Sequence, residues 1–192
     1  MEYKELLKNR RSVRNFLNKK VPMEAIHEII QDTCLAPSAC DRQPWRFIII
    51  QNVDLIKRIS DESKKNILMH IEKNPNPSSK QFESMVKNSK YNVFYNATTL
   101  VLICGIKDES FAATYLREDC SLAAAYFMLS ATEKKLSTCW IGLGDKIFDK
   151  KLRMEIGLTE ELEVIAPLII GYSNSISDIP NRKPIILKEI GN

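Results

Sequence analysis

The sequence predicts an α+β fold, one sheet covered by helices, and three observations carry that expectation. Segments of helical and of strand-like patterning interleave along the chain. Residues 98–107 (TTLVLICGIK) form the clearest strand; they are apolar on both faces and so belong in the middle of a sheet. The chain between that strand and the preceding one, 46–51, is too long for a simple crossover.

The remaining elements follow in order. Residues 2–9 (EYKELLKN) read as a short helix, and 10–16 (RRSVRNF) as a basic, irregular stretch too polar for the core. Pro22 suits the first position of the next helix, where its missing N–H leaves nothing unpaired. Ala25, Ile26, Ile29, Ile30 and Thr33 follow at helical spacing, and Pro37 stops the helix. Residues 54–71 read as a helix. The segment 72–98 opens on EKNPNPSSKQ, rich in proline, asparagine and serine, and reads as a mobile insertion within one domain spanning 1–192. Asp119 is expected to cap a long helix running to about Lys135, with Lys134 and Lys135 favourable at its C-terminal dipole. Residues 137–142 (STCWIG) form a short strand. Residues 149–157 form a helix with Gly157 just past its cap. Residues 163–172 form a last core strand, in which Pro167 signals an edge or a bulge. Residues 185–190 allow one further strand.

Composition narrows the classes. A chain of 192 residues, 44% hydrophobic and 27% charged, has the make-up of a soluble globular domain. The net charge of +4 is mild and the lysines are scattered, so the basic stripe of a nucleic-acid binder is missing. Apolar runs are too short to span a bilayer, and the N-terminus lacks an apolar core of the signal-peptide kind. A cytoplasmic location is expected. The cysteines, Cys34, Cys40, Cys104, Cys120 and Cys139, are odd in number and include no CxxC pair, which suits reduced thiols better than a disulfide framework or a zinc site. His27 and His70 have no cysteine or carboxylate at metal-ligand spacing.

Four stretches carry candidate chemistry. In RRSVR, Arg10, Arg11 and Arg14 surround Ser12. In extended chain Arg10, Ser12 and Arg14 share a face, and guanidinium forks with a hydroxyl match phosphate oxygens. The same cluster also fits a solvated basic turn. Arg182, in NRKP, fits either a second phosphate ligand or a surface tail. In APSACDRQPWRF (36–47), Pro37 and Pro44 stiffen a loop in which Ser38, Ala39 and Gln43 present groups able to read the edge of a flat heterocycle, while Trp45 packs in the core. Gly142, at the end of STCWIG, permits close backbone approach to a ring or simply ends a strand. No GxGxxG, GxxxxGK[ST] or GxSxG motif occurs, and little points to side-chain acid–base catalysis, so a cofactor is expected to carry any redox chemistry.

Taken together and in order, RRSVRNF, APSACDRQPWRF, STCWIG and NRKP resemble the FMN-dependent nitroreductase family, as does LRMEIGLTEELEVIAPLIIGY (152–172). The resemblance covers nearly the whole chain and is weakest at 60–98. It implies a mainly antiparallel central sheet flanked by helices, and a homodimer with FMN at the interface and a C-terminal segment reaching the partner. It implies that Arg10, Arg11, Ser12 and Arg14 hold the phosphate and ring edge, with Arg182 as a further phosphate contact. Pro37, Ser38, Ala39, Asp41 and Gln43 fall in the loop lent to the partner's flavin, and Trp140, Ile141 and Gly142 line the ring. Residues 72–98 become the expected cover of the active site. The implied activity is ping-pong hydride transfer from NADH or NADPH to nitroaromatic, quinone or related acceptors, with no catalytic side chain.

The chain departs from the family pattern at Asp41, where asparagine is usual, at Ala97–Thr98, where Ala-Pro is usual, and at Ala125 and Tyr126, where a glutamine or glutamate and an asparagine are usual. A carboxylate at Asp41 disfavours a nearby anionic flavin unless it is protonated or turned away. A non-enzymatic flavin-binding protein and a specialised role such as reductive dehalogenation are the competing readings within this frame. Nucleic-acid binding through RRSVR is a third.

Overall fold

The computed structural model describes residues 1–75, 79–175 and 178–191. Its core is a four-stranded antiparallel sheet with helices on both faces. The strands are β1 (Trp45–Ile50), β2 (Leu100–Ile106), β3 (Ser137–Trp140) and β4 (Leu162–Gly171), in the spatial order β1-β2-β4-β3. The helices are α1 (Tyr3–Asn9), α2 (Met23–Thr33), α3 (Val53–Lys73), α4 (Ser79–Lys87), α5 (Leu116–Glu133) and α6 (Lys150–Glu155).

Interior strands explain the sequence pattern. β2 lies between β1 and β4, and helices cover the sheet on both sides, so both faces of β2 are buried and apolar. Val101 and Ile103 pack with Ile26 and Ile29 of α2 and Ala123, Ala124 and Phe127 of α5. Leu100, Leu102 and Cys104 turn to the other face, against Ile56 and Ile59 of α3 and against Phe94. Small residues along α5 let that helix lie close to the sheet. Gly105 extends this fit, since a Cβ there would stand 2.7 Å from the Leu116 side chain. Replacement Gly105→Ala is expected to lower stability by about 1–3 kcal/mol, read from urea unfolding, because Leu116 is itself held in the core.

Several expectations need correction. Asp119 does not cap α5. The helix begins at Leu116 after a 3₁₀ turn over Phe111–Tyr115, and Asp119 lies inside its first turn, where a carboxylate still suits the positive end of the helix dipole. Pro22 is the cap before α2, not its first residue, and α2 ends at Thr33, short of Pro37. Pro167 is not on an edge, because β4 is interior. A bulge does occur beside it: register passes from Ile103↔Ala166 to Cys104↔Val164, so Ile165 is the extra residue, and Ile165 and Ala166 both face α2 and α5. No strand forms over 185–190, where Ile185, Ile186, Leu187 and Ile190 are exposed. The end of α6 matches its expectation. Gly157 has φ +73° and Leu158 N–H donates to the Arg153 carbonyl at 2.8 Å, a Schellman closure.

Within 72–98, residues 76–78 lie outside the described chain. Val93, Phe94 and Ala97 are core residues, while Phe82 is exposed. Among the described residues no helix is long and apolar enough to cross a membrane, and no cluster of three or more His, Cys, Asp or Glu could hold a metal. All five cysteines are free thiols.

Candidate functional site

The segment after α1 attaches to the outer side of β3. Ser12 pairs with Thr138 in a parallel bridge, and Val13 N–H donates to the Thr138 carbonyl at 3.0 Å. Extended backbone at this bridge turns Val13 inward, where it is buried, and leaves Ser12 and Arg14 exposed. Arg10 stands at the end of α1 in extended conformation, partly buried.

Four guanidinium groups gather here. Burial, then the neighbouring Arg11 and Arg182 cations, hold Arg10 below the usual arginine pKa; the nearby Cys139 acts in the opposite direction. Arg182 is thus brought to Arg10 from the far end of the chain. The Arg11 head donates to the Arg10 carbonyl at 2.6 Å, yet its Nε is buried with no partner. Arg14 donates to the Ser12 carbonyl and stacks over the Tyr95 ring at 5.9 Å. Among the described residues, none of these four arginines takes part in an ion pair, although surface pairs such as Arg58–Glu155 occur elsewhere. Like charges assembled without an internal anion repel one another, and a dianionic ligand relieves that repulsion. An orphaned buried Nε and unpaired forks therefore fit a phosphate.

Sequence reasoning missed one neighbour of this cluster, Cys139, whereas Tyr91 and Tyr95 belong to the 72–98 segment expected to cover the site. Cys139 is 1% exposed. Burial pushes its thiol pKa up, while Arg14, a hydrogen bond with Ser12, and Arg10 draw it down. The period of two along β3 places it on the opposite face from Trp140, which could have flagged it. Tyr91 and Tyr95 meet edge to face at 6.0 Å. Burial, then hydrogen bonding to Tyr95 and its charge, raise the Tyr91 phenol pKa, and Arg14 opposes this. At the end of β3, Ile141 is buried and donates to the Pro167 carbonyl at 2.8 Å, while Trp140 is half-buried. A Cβ on Gly142 would meet nothing within 4 Å, so the space beside it is open.

The loop 38–43 is tied elsewhere. Its bonds to distant parts of the chain run to the segment before and into α5: Ala39 N–H donates to Asp119 Oδ1 at 2.9 Å, and Arg42 pairs with Asp108, while Arg46 nearby donates to the Gln43 carbonyl at 3.3 Å. Ser38 Oγ accepts from Gln43 N–H at 2.9 Å. The Asp41 carboxylate accepts from Gln43 Nε2 at 2.9 Å, so it is turned onto its own loop. Cys40, Asp41 and Gln43 have φ of 51°, 52° and 48°. Left-handed backbone costs a residue with a Cβ about 1 kcal/mol, so these bonds hold the loop in a strained form. Pro37 is exposed beside it and Trp45 is 4% exposed in the core, the scaffold position expected.

Comparison with known proteins decides the family, because the nitroreductase family model matches residues 7–172. The chain belongs to the nitroreductase family. A Methanothermobacter thermautotrophicus relative, named for NADH dehydrogenase or NAD(P)H nitroreductase activity, is 25% identical over 175 residues, covering 90% of this chain and 78% of that one. An iodotyrosine deiodinase of Nematostella vectensis is 23% identical, covering 96% of this chain and 72% of its own. Among solved structures, a Bacteroides fragilis nitroreductase with bound FMN matches all of both chains with a TM-score of 0.84 at 21% identity, which shows the nitroreductase fold. In this chain the arginine cluster is attached to β3, and the 38–43 loop to Asp108 and Asp119.

Proposed function

We propose that this nitroreductase-family protein is an FMN-dependent oxidoreductase that draws on NADH or NADPH to reduce nitroaromatic, quinone or related acceptors. The observation that carries this reading is the group of four arginines without an acidic partner, one with an orphaned buried Nε. Arg10, Arg11, Ser12, Arg14 and Arg182 would hold the phosphate and ring edge, and Trp140, Ile141 and Gly142 would line the ring. Bound FMN would supply the hydride chemistry. The chain's own part is to anchor, to orient and to leave one approach open, which the exposed Gly142 and the space beside it favour.

A homodimer completes the reading. The loop of Pro37, Ser38, Ala39, Asp41 and Gln43 is fastened to Asp108 and Asp119, and in this proposal it serves the partner's flavin. Exposed Ile185, Ile186, Leu187 and Ile190, with Leu122 and Tyr126 on α5, give apolar surface that a second copy would cover. The segment 72–98 is proposed as the site's cover only in its earlier part, since Val93 and Phe94 are fixed in the core.

Purified protein given NADH or NADPH and a nitroaromatic or a quinone is expected to consume nucleotide in proportion to acceptor reduced. Flavin-bound protein that oxidises neither nucleotide with any acceptor would favour a non-enzymatic flavin carrier. The deiodinase relative supports a second reading, reductive dehalogenation. It predicts iodide release from iodotyrosine and little turnover of nitroaromatics.

A further inference from the structure

The 38–43 loop contains no glycine, yet three of its residues sit in left-handed backbone. Cys40 and Gln43 do not favour that shape, so hydrogen bonds must hold it: those of Gln43 with Ser38 and Asp41 within the loop, and others from outside it. The restraints from distant parts of the chain described above come from one segment, 108–119. Arg42 is paired with Asp108, whose Oδ1 also accepts from Ser110 N–H at 2.9 Å and Ser110 Oγ at 2.6 Å. At the other end Ala39 N–H donates to Asp119 Oδ1.

Asp119 is the unusual member. It is 3% exposed, on a helix whose neighbouring buried positions are Leu116, Cys120 and Ala123. Its Oδ2 is buried without a partner. A buried carboxylate with one oxygen unpaired works against folding. The described bond that answers this burden is the one to the loop.

We propose that Asp119 is a positioning residue for the flavin: through the Ala39 N–H it fixes the strained loop that borders the cofactor, and so sets cofactor affinity and potential instead of supporting the fold. This rests on the flavin reading above. Asp119 need not touch the cofactor. It acts through the backbone of Ala39, which places Ser38 on one side and the Asp41–Gln43 pair on the other.

The test compares FMN dissociation constant, flavin midpoint potential and the melting temperature of cofactor-free protein in wild type, Asp119→Ala, Asp119→Asn and Asp108→Ala. Asp119→Ala removes the acceptor, and FMN affinity is expected to fall about tenfold with a changed potential. Asp119→Asn keeps an acceptor oxygen for Ala39 and should restore affinity to within about threefold of wild type. Asp108→Ala acts on the same loop from an exposed position, so it keeps the fold and should weaken FMN by about threefold. The cofactor-free melting temperature of Asp119→Ala should not drop. Wild-type affinity and potential in Asp119→Ala would overturn the inference, as would an Asp119→Asn protein no better than the alanine variant or a lowered cofactor-free melting temperature that accounts for the loss. If Asp119→Ala does not fold, Asp119→Asn and Asp108→Ala decide alone: wild-type affinity in Asp108→Ala, or an Asp119→Asn protein weakened tenfold, counts against it. A wild-type protein that binds no FMN would remove the flavin reading itself, a result distinct from any of these.

Discussion

Replacing Arg10 and Arg182 together, Arg10→Ala with Arg182→Ala, is expected to weaken FMN binding by about 100-fold. Each guanidinium offers charge-assisted hydrogen bonds to phosphate worth about 1.5–3 kcal/mol, and the exposed position of Arg182 places its share at the lower end. Two losses at the lower end of that range reach roughly 3 kcal/mol, slightly more than a 100-fold change. Stability of the cofactor-free protein should move the other way or not at all. Arg10 is held below its ordinary pKa by burial and by Arg11 and Arg182, so removing two cations relieves repulsion. A fluorescence titration of FMN beside a thermal melt reads both effects. Unchanged affinity would show that the cluster serves something other than the phosphate. Loss of affinity accompanied by equal loss of stability would show that the arginines are structural.

The second large effect concerns the segment expected to cover the site. Phe94→Ala should lower stability by about 3–5 kcal/mol, since the ring is fully buried and packs against the second core face with Ile56, Ile59 and Leu102. A Cβ added at Gly144 would stand 2.6 Å from the same ring, which leaves no room for it to swing away. Chemical unfolding without FMN is the right measurement, because bound ligand adds stability of its own. A cover residue behaves differently: its removal changes the Michaelis constants and spares the fold. Phe82, half exposed on α4, is the contrasting position, and Phe82→Ala should leave stability within about 0.5 kcal/mol.

The fold was legible where burial writes itself into local pattern. β2 reads as a central strand because both of its faces are apolar, and it is central. The end of α6 is marked by Gly157 because only the left-handed residue after a helix singles out glycine so sharply. The strand order β1-β2-β4-β3 was not legible, since pairing between distant strands leaves no local trace. Asp119 was misread as a cap because an aspartate near a helix start has two uses, bonding its own helix or a neighbouring chain. Nothing in the local sequence separates them. The 39–41 turn was hidden because its left-handed residues are not glycine.

The site was legible in its charges and not in its surroundings. By spacing alone Arg10, Ser12 and Arg14 fit a phosphate surface or a solvated basic turn, and Arg182 a phosphate ligand or a surface tail; resemblance to a family is what grouped them. The structure does bring Arg182 to Arg10. Cys139 went unseen, because its place beside Arg14 arises from the bridge between Ser12 and Thr138. Tyr95 was expected only as part of the 72–98 cover, and its place under Arg14 arises from the packing of 91–97. Asp41 looked like the point of departure from the family. Its carboxylate is turned onto Gln43 of its own loop.

Riboflavin offers the most direct test of the central claim, because it carries the same ring system as FMN without the phosphate. If the four arginines hold that phosphate, FMN should bind at least about 100-fold more tightly than riboflavin at low ionic strength, and the gap should narrow as salt is added. Equal affinities for the two flavins, unaffected by salt, would contradict it.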